Sequence, residues 1–236
     1  RPIRLKSRYV SETSNWPATA IFVGTSGKEA GAGYQTLEGL DAADVDGDGK
    51  VDVLAGCHWF KHRGGMKFDP IRVAPIGGRI VAGRFKPGKT VQVVISSGDG
   101  NGPLRWHECV GDPEKTAAWR GHDLLDRDMI HGHTLQVADI NGDGHQDIFA
   151  AEMAKWGREA RLDNPGATAW ICYGDGAGGF RTTVFQKGMG FHETRVADLD
   201  GDGRIDVVSK PYTWEAPRID VWLQVAPPGA GKAATN

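Results

Sequence analysis

The chain has 236 residues, of which 39% are apolar and 25% charged, with a formal net charge of −2. That composition excludes a disordered chain, and no run reaches the roughly 18 apolar residues of a membrane-spanning helix. Three cysteines, Cys57, Cys109 and Cys172, exclude a disulfide scaffold.

Glycine is abundant at 34 residues and is spread along the chain, which suits tight turns between short strands. In chain order, Trp16 to Gly24 reads first, as a strand without a unit of its own, placed to pair beside Val221 to Gln224 and close a ring. Next comes ADVDGDGKVDVL over 43–54, a loop rich in carboxylates between two short apolar runs, followed by outer strands at Met66 to Phe68 and on to Val73. Residues 80–95 form a degenerate copy: two apolar strands remain, but Gly83, Phe85 and Pro87 replace the first three acidic positions, and Lys86 and Lys89 add positive charge. After Pro103 to Trp106, the loop recurs as ADINGDGHQDIF over 138–149, with strands at Ala169 to Tyr173 and Phe180 to Gln186. ADLDGDGRIDVV over 197–208 is the last copy, and Ile219 to Leu223 follows.

The three complete loops place oxygen-bearing side chains at positions one, three, five and nine. These are Asp44, Asp46, Asp48 and Asp52; Asp139, Asn141, Asp143 and Asp147; and Asp198, Asp200, Asp202 and Asp206. Ca²⁺ takes six to eight hard oxygens, and a chain curling round it with alternate side chains inward supplies them at this spacing. The backbone carbonyls of Lys50, His145 and Arg204 at position seven are the expected additional ligands, and glycine at position six permits the sharp turn. An EF-hand would need Glu at position twelve and flanking helices, whereas here position twelve is Ala55, Ala150 or Ser209 and the flanks read as strands. The sequence therefore predicts strand–calcium loop–strand hairpins and about three calcium ions.

Four units of propeller-blade size result, near 36–75, 76–125, 130–187 and 188–226, within one all-β domain over 1–236. The organisation resembles the FG-GAP or VCBS repeat family, whose propellers include integrin α-subunit heads and the propeller domains of several polysaccharide lyases. The stretches HGHTLQVADINGDGHQDIFAAEM and FHETRVADLDGDGRIDVVSKPYTW look most like propellers related to aldos-2-ulose dehydratase. Because that resemblance implies seven blades, four units mean either a small ring or the C-terminal part of a larger one, with further blades or another domain outside this chain.

In such a hairpin, residues before the first strand and after the second emerge opposite the calcium loop. Six residues before the first ligand stand Glu38, His133 and His192; after the second strands come His58, Asp99, Glu152, Lys210 and Tyr212, with His131 nearby and Trp59, Trp156 and Trp214 following. Imidazoles, carboxylates and aromatic platforms on one face suit carbohydrate. Glu152 and Lys210 also read as an ordinary ion pair, and the three tryptophans as blade packing. The resemblance implies a carbon–oxygen lyase or dehydratase acting on a keto- or uronate sugar. His133 and His192 would serve as base or hold a transition metal such as zinc, His58 or Glu152 would complete the set, and Tyr212 would be the acid. A non-catalytic adhesion or carbohydrate-binding module stays open beside it. Neither a basic stripe nor a reader motif suggests nucleic acid. Open calcium loops of this type fill at millimolar calcium, so the expectation is a secreted, periplasmic or cell-surface protein whose leader has been removed.

Overall fold

The computed structural model describes residues 20–21, 37–155, 162–212 and 218–226. Four small antiparallel sheets make a four-bladed β-propeller arrangement. Sheet 1 is β1 (Leu40–Ala43), β2 (Asp52–Ala55), β3 (His58–Gly64) and β4 (Lys67–Arg72), in that order. Sheet 2 joins β5 (Arg79–Gly83), β6 (Gln92–Ser96), β8 (Arg105–Cys109) and β9 (Trp119–Asp123), while β7 (Asn101–Gly102) leaves it to pair with β10 (Met129–Ile130). Sheet 3 is β11 (Thr134–Ala138), β12 (Asp147–Ala151), β13 (Thr168–Gly174) and β14 (Phe180–Lys187); sheet 4 has β15 (Glu193–Ala197), β16 (Asp206–Lys210) and β17 (Asp220–Trp222). The first strands of the sheets stand side by side, β5 between β1 and β11, and β11 between β5 and β15.

Each second strand is the apolar heart of its sheet. Gln92–Ser96 and Asp147–Ala151 are buried along their whole length, as their uninterrupted Val, Ile, Phe and Ala runs require of a strand covered on both faces. Three cores fill the spaces between consecutive sheets. Val45, Leu54, Trp59 and Val93 belong to the first, Phe85, Val94, Ile148 and Trp170 to the second, and Phe149, Ile171, Phe191 and Val207 to the third. Among the described residues no such core joins sheet 4 to sheet 1, and Leu40, Ile219, Val221 and Leu223 are exposed. Trp59 is fully buried against the edge of Trp119, at 6.3 Å between rings, so it is a packing residue. Trp156 and Trp214 lie outside the described residues, as does the proposed closing strand at 16–24 except for Ala20 and Ile21, neither of which is in a strand.

Strand register corrects the reading of the degenerate unit. Gly83 faces Gln92 as Ala43 faces Asp52, Ala138 faces Asp147 and Ala197 faces Asp206. The residues at loop positions one, three, five and nine are therefore Arg84, Lys86, Gly88 and Gln92, one residue later than Gly83, Phe85 and Pro87. Phe85 instead falls at position two with Val45 and Ile140, all three buried in the cores.

Candidate functional site: carboxylate loops and an axial pocket

The three acidic loops fold alike. The position-one carboxylate accepts the backbone N–H groups of positions five and six with its two oxygens: Asp44 from Asp48 and Gly49 at 3.0 and 2.9 Å, Asp139 from Asp143 and Gly144 at 3.1 and 2.9 Å, Asp198 from Asp202 and Gly203 at 3.1 and 2.9 Å. Position six can be glycine alone without strain, since Gly49, Gly144 and Gly203 have φ of +86°, +88° and +84°. The turn draws side-chain oxygens together, so that Asp44, Asp46 and Asp48 converge on one point, as do Asp198, Asp200 and Asp206, each set within 4.8 Å. In the second loop Asn141 turns its amide N–H₂ onto Asp143 at 2.8 Å. The first and third loops fit a hard divalent cation because their converging ligand atoms are carboxylate oxygens, and the second carries the same side-chain oxygens at the same loop positions with one amide among them. The Lys50 side chain, hydrogen-bonded to Asp48, holds that exposed carboxyl at about 2.

Position nine has a role that spacing alone does not reveal. Asp52, Asp147 and Asp206 are buried, and each clasps the loop to the third strand of its sheet or, in sheet 4, to the segment that continues it. One oxygen accepts the position-two N–H, from Val45, Ile140 or Leu199 at 3.1, 2.8 and 2.9 Å. The other accepts from His62, Gly174 or Gln224 at 2.8, 2.9 and 2.7 Å. Burial pushes the Asp147 carboxyl up, whereas the hydrogen bonds from Gln224 and Leu199 hold Asp206 below the usual range. In sheet 2 the neutral Gln92 does part of the same work, its Oε1 accepting from Phe85 N at 2.8 Å and Lys86 N at 3.1 Å.

At the opposite end of the hairpins the starts of the first strands surround a polar cavity of about 90 Å³. His133 and His192 meet there, stacked at 4.6 Å with an 11° angle between rings, and Tyr212 stacks on the other side of His192 at 5.0 Å. Glu38, Asp99 and His133 bring ligand-type atoms within 4.8 Å of one another, Glu38 accepting from Asp99 N at 2.8 Å. Burial, reinforced by Arg79 at His133 and by Lys210 at His192, holds both imidazoles below the usual histidine range, so both are neutral at pH 7. Among the described residues the buried Nδ1 of His192 has no hydrogen-bond partner. His131, held at a left-handed φ of 54°, anchors the adjoining loop through Asp99 O and Asp163 Oδ2, both at 2.7 Å.

Other expected members sit elsewhere. Glu152 is fully buried and consumed by structure: Arg127 at 2.7 Å, Ile130 N at 2.8 Å and Thr168 N at 3.0 Å satisfy it, so its ion-pair partner is Arg127 and not Lys210. His58 is buried beside Cys57 and does not line the cavity; burial lowers its pKa. Lys210 is exposed on β16, its carbonyl accepting from His192 N at 3.0 Å.

Arg79, which opens β5, is the residue that sequence reasoning missed. Its Nε donates to His133 O at 2.8 Å, and its Nη2 reaches His133 Nδ1 at 2.9 Å and Glu193 Oε1 at 2.8 Å, across from sheet 2 to sheet 4. In the corrected register Arg79 is equivalent to Gly39, Thr134 and Glu193, the cavity-lining position of each sheet. A guanidinium only donates, so His133 Nδ1 is the acceptor and its proton resides on Nε2. His133, His192 and Glu193 do lie within 4.8 Å as a potential metal group, but the Arg79 cation already bridges two of the three donors. The donor set therefore does not fit zinc, and the cavity is organised around a fixed guanidinium.

Residues 139–209, from the second carboxylate loop to the end of β16, match the family model described as an FG-GAP-like repeat. Residues 37–54 match the model described as an EF hand; there the first loop is flanked by strands β1 and β2, so the match reflects ligand spacing and not helix–loop–helix structure. No curated protein matches the chain. Together, the repeat match and the four-sheet ring support an FG-GAP-type propeller with calcium-binding loops.

Proposed function

We propose that this chain is a calcium-stabilised propeller that holds the acidic or carbonyl end of a sugar in its axial cavity and eliminates across an adjacent carbon–oxygen bond. The observation that carries the reading is the stacked pair of His133 and His192 beside Arg79 in one polar cavity, with the Tyr212 ring against His192. Calcium, when bound, supplies positive charge that ties each acidic loop together. Arg79 would hold the carboxylate or enolate oxygen, a role for which a planar donor is suited. Neutral His192 would take the proton next to the carbonyl. The released electron pair would form the double bond as the carbon–oxygen bond breaks, and the Tyr212 hydroxyl would protonate the leaving oxygen. Neither family match names an enzyme, and the lyase reading leans on the resemblance to aldos-2-ulose dehydratase-like propellers.

A second reading, a non-catalytic calcium-supported adhesion or carbohydrate-binding module, is favoured by size. A cavity of about 90 Å³ admits a carboxylate or carbonyl group, whereas pockets for whole small-molecule ligands run from roughly 300 Å³ upward. A panel of uronate and keto sugars separates the two. Ultraviolet absorbance from a new conjugated double bond, abolished by His192→Ala with calcium content unchanged, supports elimination. Binding lost in Arg79→Met but without any absorbance change supports the module. We place the protein outside the cytosol, since open loops of this kind fill at millimolar calcium; native protein found only in a cytosolic fraction would contradict that.

A further inference from the structure

The three acidic loops are not equivalent, and the difference lies in one side chain opposite each. The residue preceding the clasped third-strand N–H is Lys61 in sheet 1, Tyr173 in sheet 3 and Leu223 in sheet 4, because His62, Gly174 and Gln224 are the clasped positions. In sheet 2 the register places Glu108 there, since His107 faces Val93 as Phe60 faces Val53. Lys61 Nζ pairs with Asp46 and lies 3.4 Å from Asp48, two of the three converging carboxylates of the first loop. Sheet 2 shows the same pair with its charges exchanged: Lys86 at loop position three meets Glu108 at 2.5 Å. The third-strand side chain thus reaches the loop in both sheets, and in sheet 2 a salt bridge stands where a metal-bound carboxylate would.

From this geometry we infer that Lys61 is an internal cation that competes with calcium, making the first loop the weak member of the three. The inference rests on the calcium reading of the loops. Lys50 and Arg204 also pair with the position-five carboxylates of their loops, but from the solvent side, their side chains being 45% and 37% exposed, and Arg204 is shared with the Gln224 carbonyl, to which its Nε donates at 2.9 Å. The Lys61 side chain is 8% exposed, its ammonium lies 5.4 Å from the Trp59 ring, and Glu114 stands 3.6 Å from it. Calcium entering the first loop must displace a buried ammonium towards Glu114 or bind beside it, and like charges at such distances repel strongly. At the same third-strand position loops two and three have Tyr173 and Leu223, neither charged, and the cations beside those loops, Arg181 over Tyr173 at 4.6 Å and Arg204 on Asp202, are open to solvent where Lys61 is buried.

Calorimetric titration of the full chain with Ca²⁺ tests this. Two tighter sites and a third weaker by about tenfold or more are expected, with Lys61→Met bringing the third site up to the other two. Asp46→Asn, which leaves the buried Asp52 clasp intact, should abolish only the weak site, and it serves if Lys61→Met does not fold. Three equal sites in the wild type, an unchanged weak site in Lys61→Met, or loss of a tight site in Asp46→Asn would overturn the inference while leaving calcium binding intact. Absence of all calcium binding would instead overturn the reading on which it rests.

Discussion

Replacing Asp147 by alanine separates the clasp from the calcium site. The Asp147 carboxylate is fully buried and accepts from Ile140 N at 2.8 Å, Gly174 N at 2.9 Å and, more weakly, Asn141 N at 3.3 Å. Truncation strands two good buried donors, each costing about 1–3 kcal/mol. Burial pushes this carboxyl up against those same hydrogen bonds, so removing it also relieves some desolvation. The expected net loss is about 3 to 5 kcal/mol, in the range of a broken buried network. Asp147→Asn retains one acceptor, as Gln92 does in sheet 2, and should lose about 1 to 2 kcal/mol. Asp143→Ala, on the exposed rim of the same loop, should leave the stability without calcium close to that of the wild type. Urea unfolding in excess chelator measures all three. If Asp147→Ala and Asp143→Ala were equally stable under chelation, position nine would not be a clasp and the reasoning would fail.

Gly39→Ala should destabilise by about 2 kcal/mol or more, since its φ is +71° and a Cβ would meet Arg79 Cα and Ile80 N at 2.8 Å; Gly49→Ala, at φ +86° with open space around it, should cost about 1 kcal/mol. Thermal melts compare them, and equal losses would contradict the close approach of sheets 1 and 2. Removing the guanidinium in Arg79→Met should raise the pKa of His133, because Arg79 adds to burial in depressing it; an NMR titration with His133 unmoved would exclude the contact. Burial pushes His107 down to about 4, so the unfolded chain binds the extra proton between about pH 6.5 and 4, and stability should fall as pH drops through that window. Below it, carboxyls held low in the fold, such as Asp48 at about 2 and Asp206, lose their contribution as they are protonated. A chemical-denaturation midpoint flat from pH 7 to about 4 would contradict the first of these losses.

The hairpins were legible because an acidic loop written three times at constant spacing fixes both the turn and the strands beside it. The convergence of Glu38, Asp99, His133 and His192 followed from register, since each stands at the end of a hairpin away from its loop. Where the carboxylates disappear the signal weakens. In sheet 2 the glycine at 88 invited alignment with Gly49, but the feature that register preserves is the buried clasp, Gln92 for Asp52; Arg79 escaped because it stands with Gly39, Thr134 and Glu193, one residue after the position of Glu38, His133 and His192. Glu152 follows a second strand as the register requires, yet its side chain turns inward to Arg127, which lies 25 residues away in sequence. Such non-local pairing leaves no periodic trace. Nor does the reach of Lys61 into the first loop, a contact set by the third strand and invisible in the loop itself.

The central claim, that calcium holds the acidic loops of this propeller, is tested most directly by the thermal midpoint against free calcium, starting from chelated protein. Ligand that binds only the folded state raises stability by RT ln(1 + [L]/Kd) at each site. The midpoint should climb through the millimolar range, with a smaller rise in Asp200→Ala, which lacks one converging carboxylate of the third loop. A midpoint that does not move between chelator and saturating calcium would contradict it.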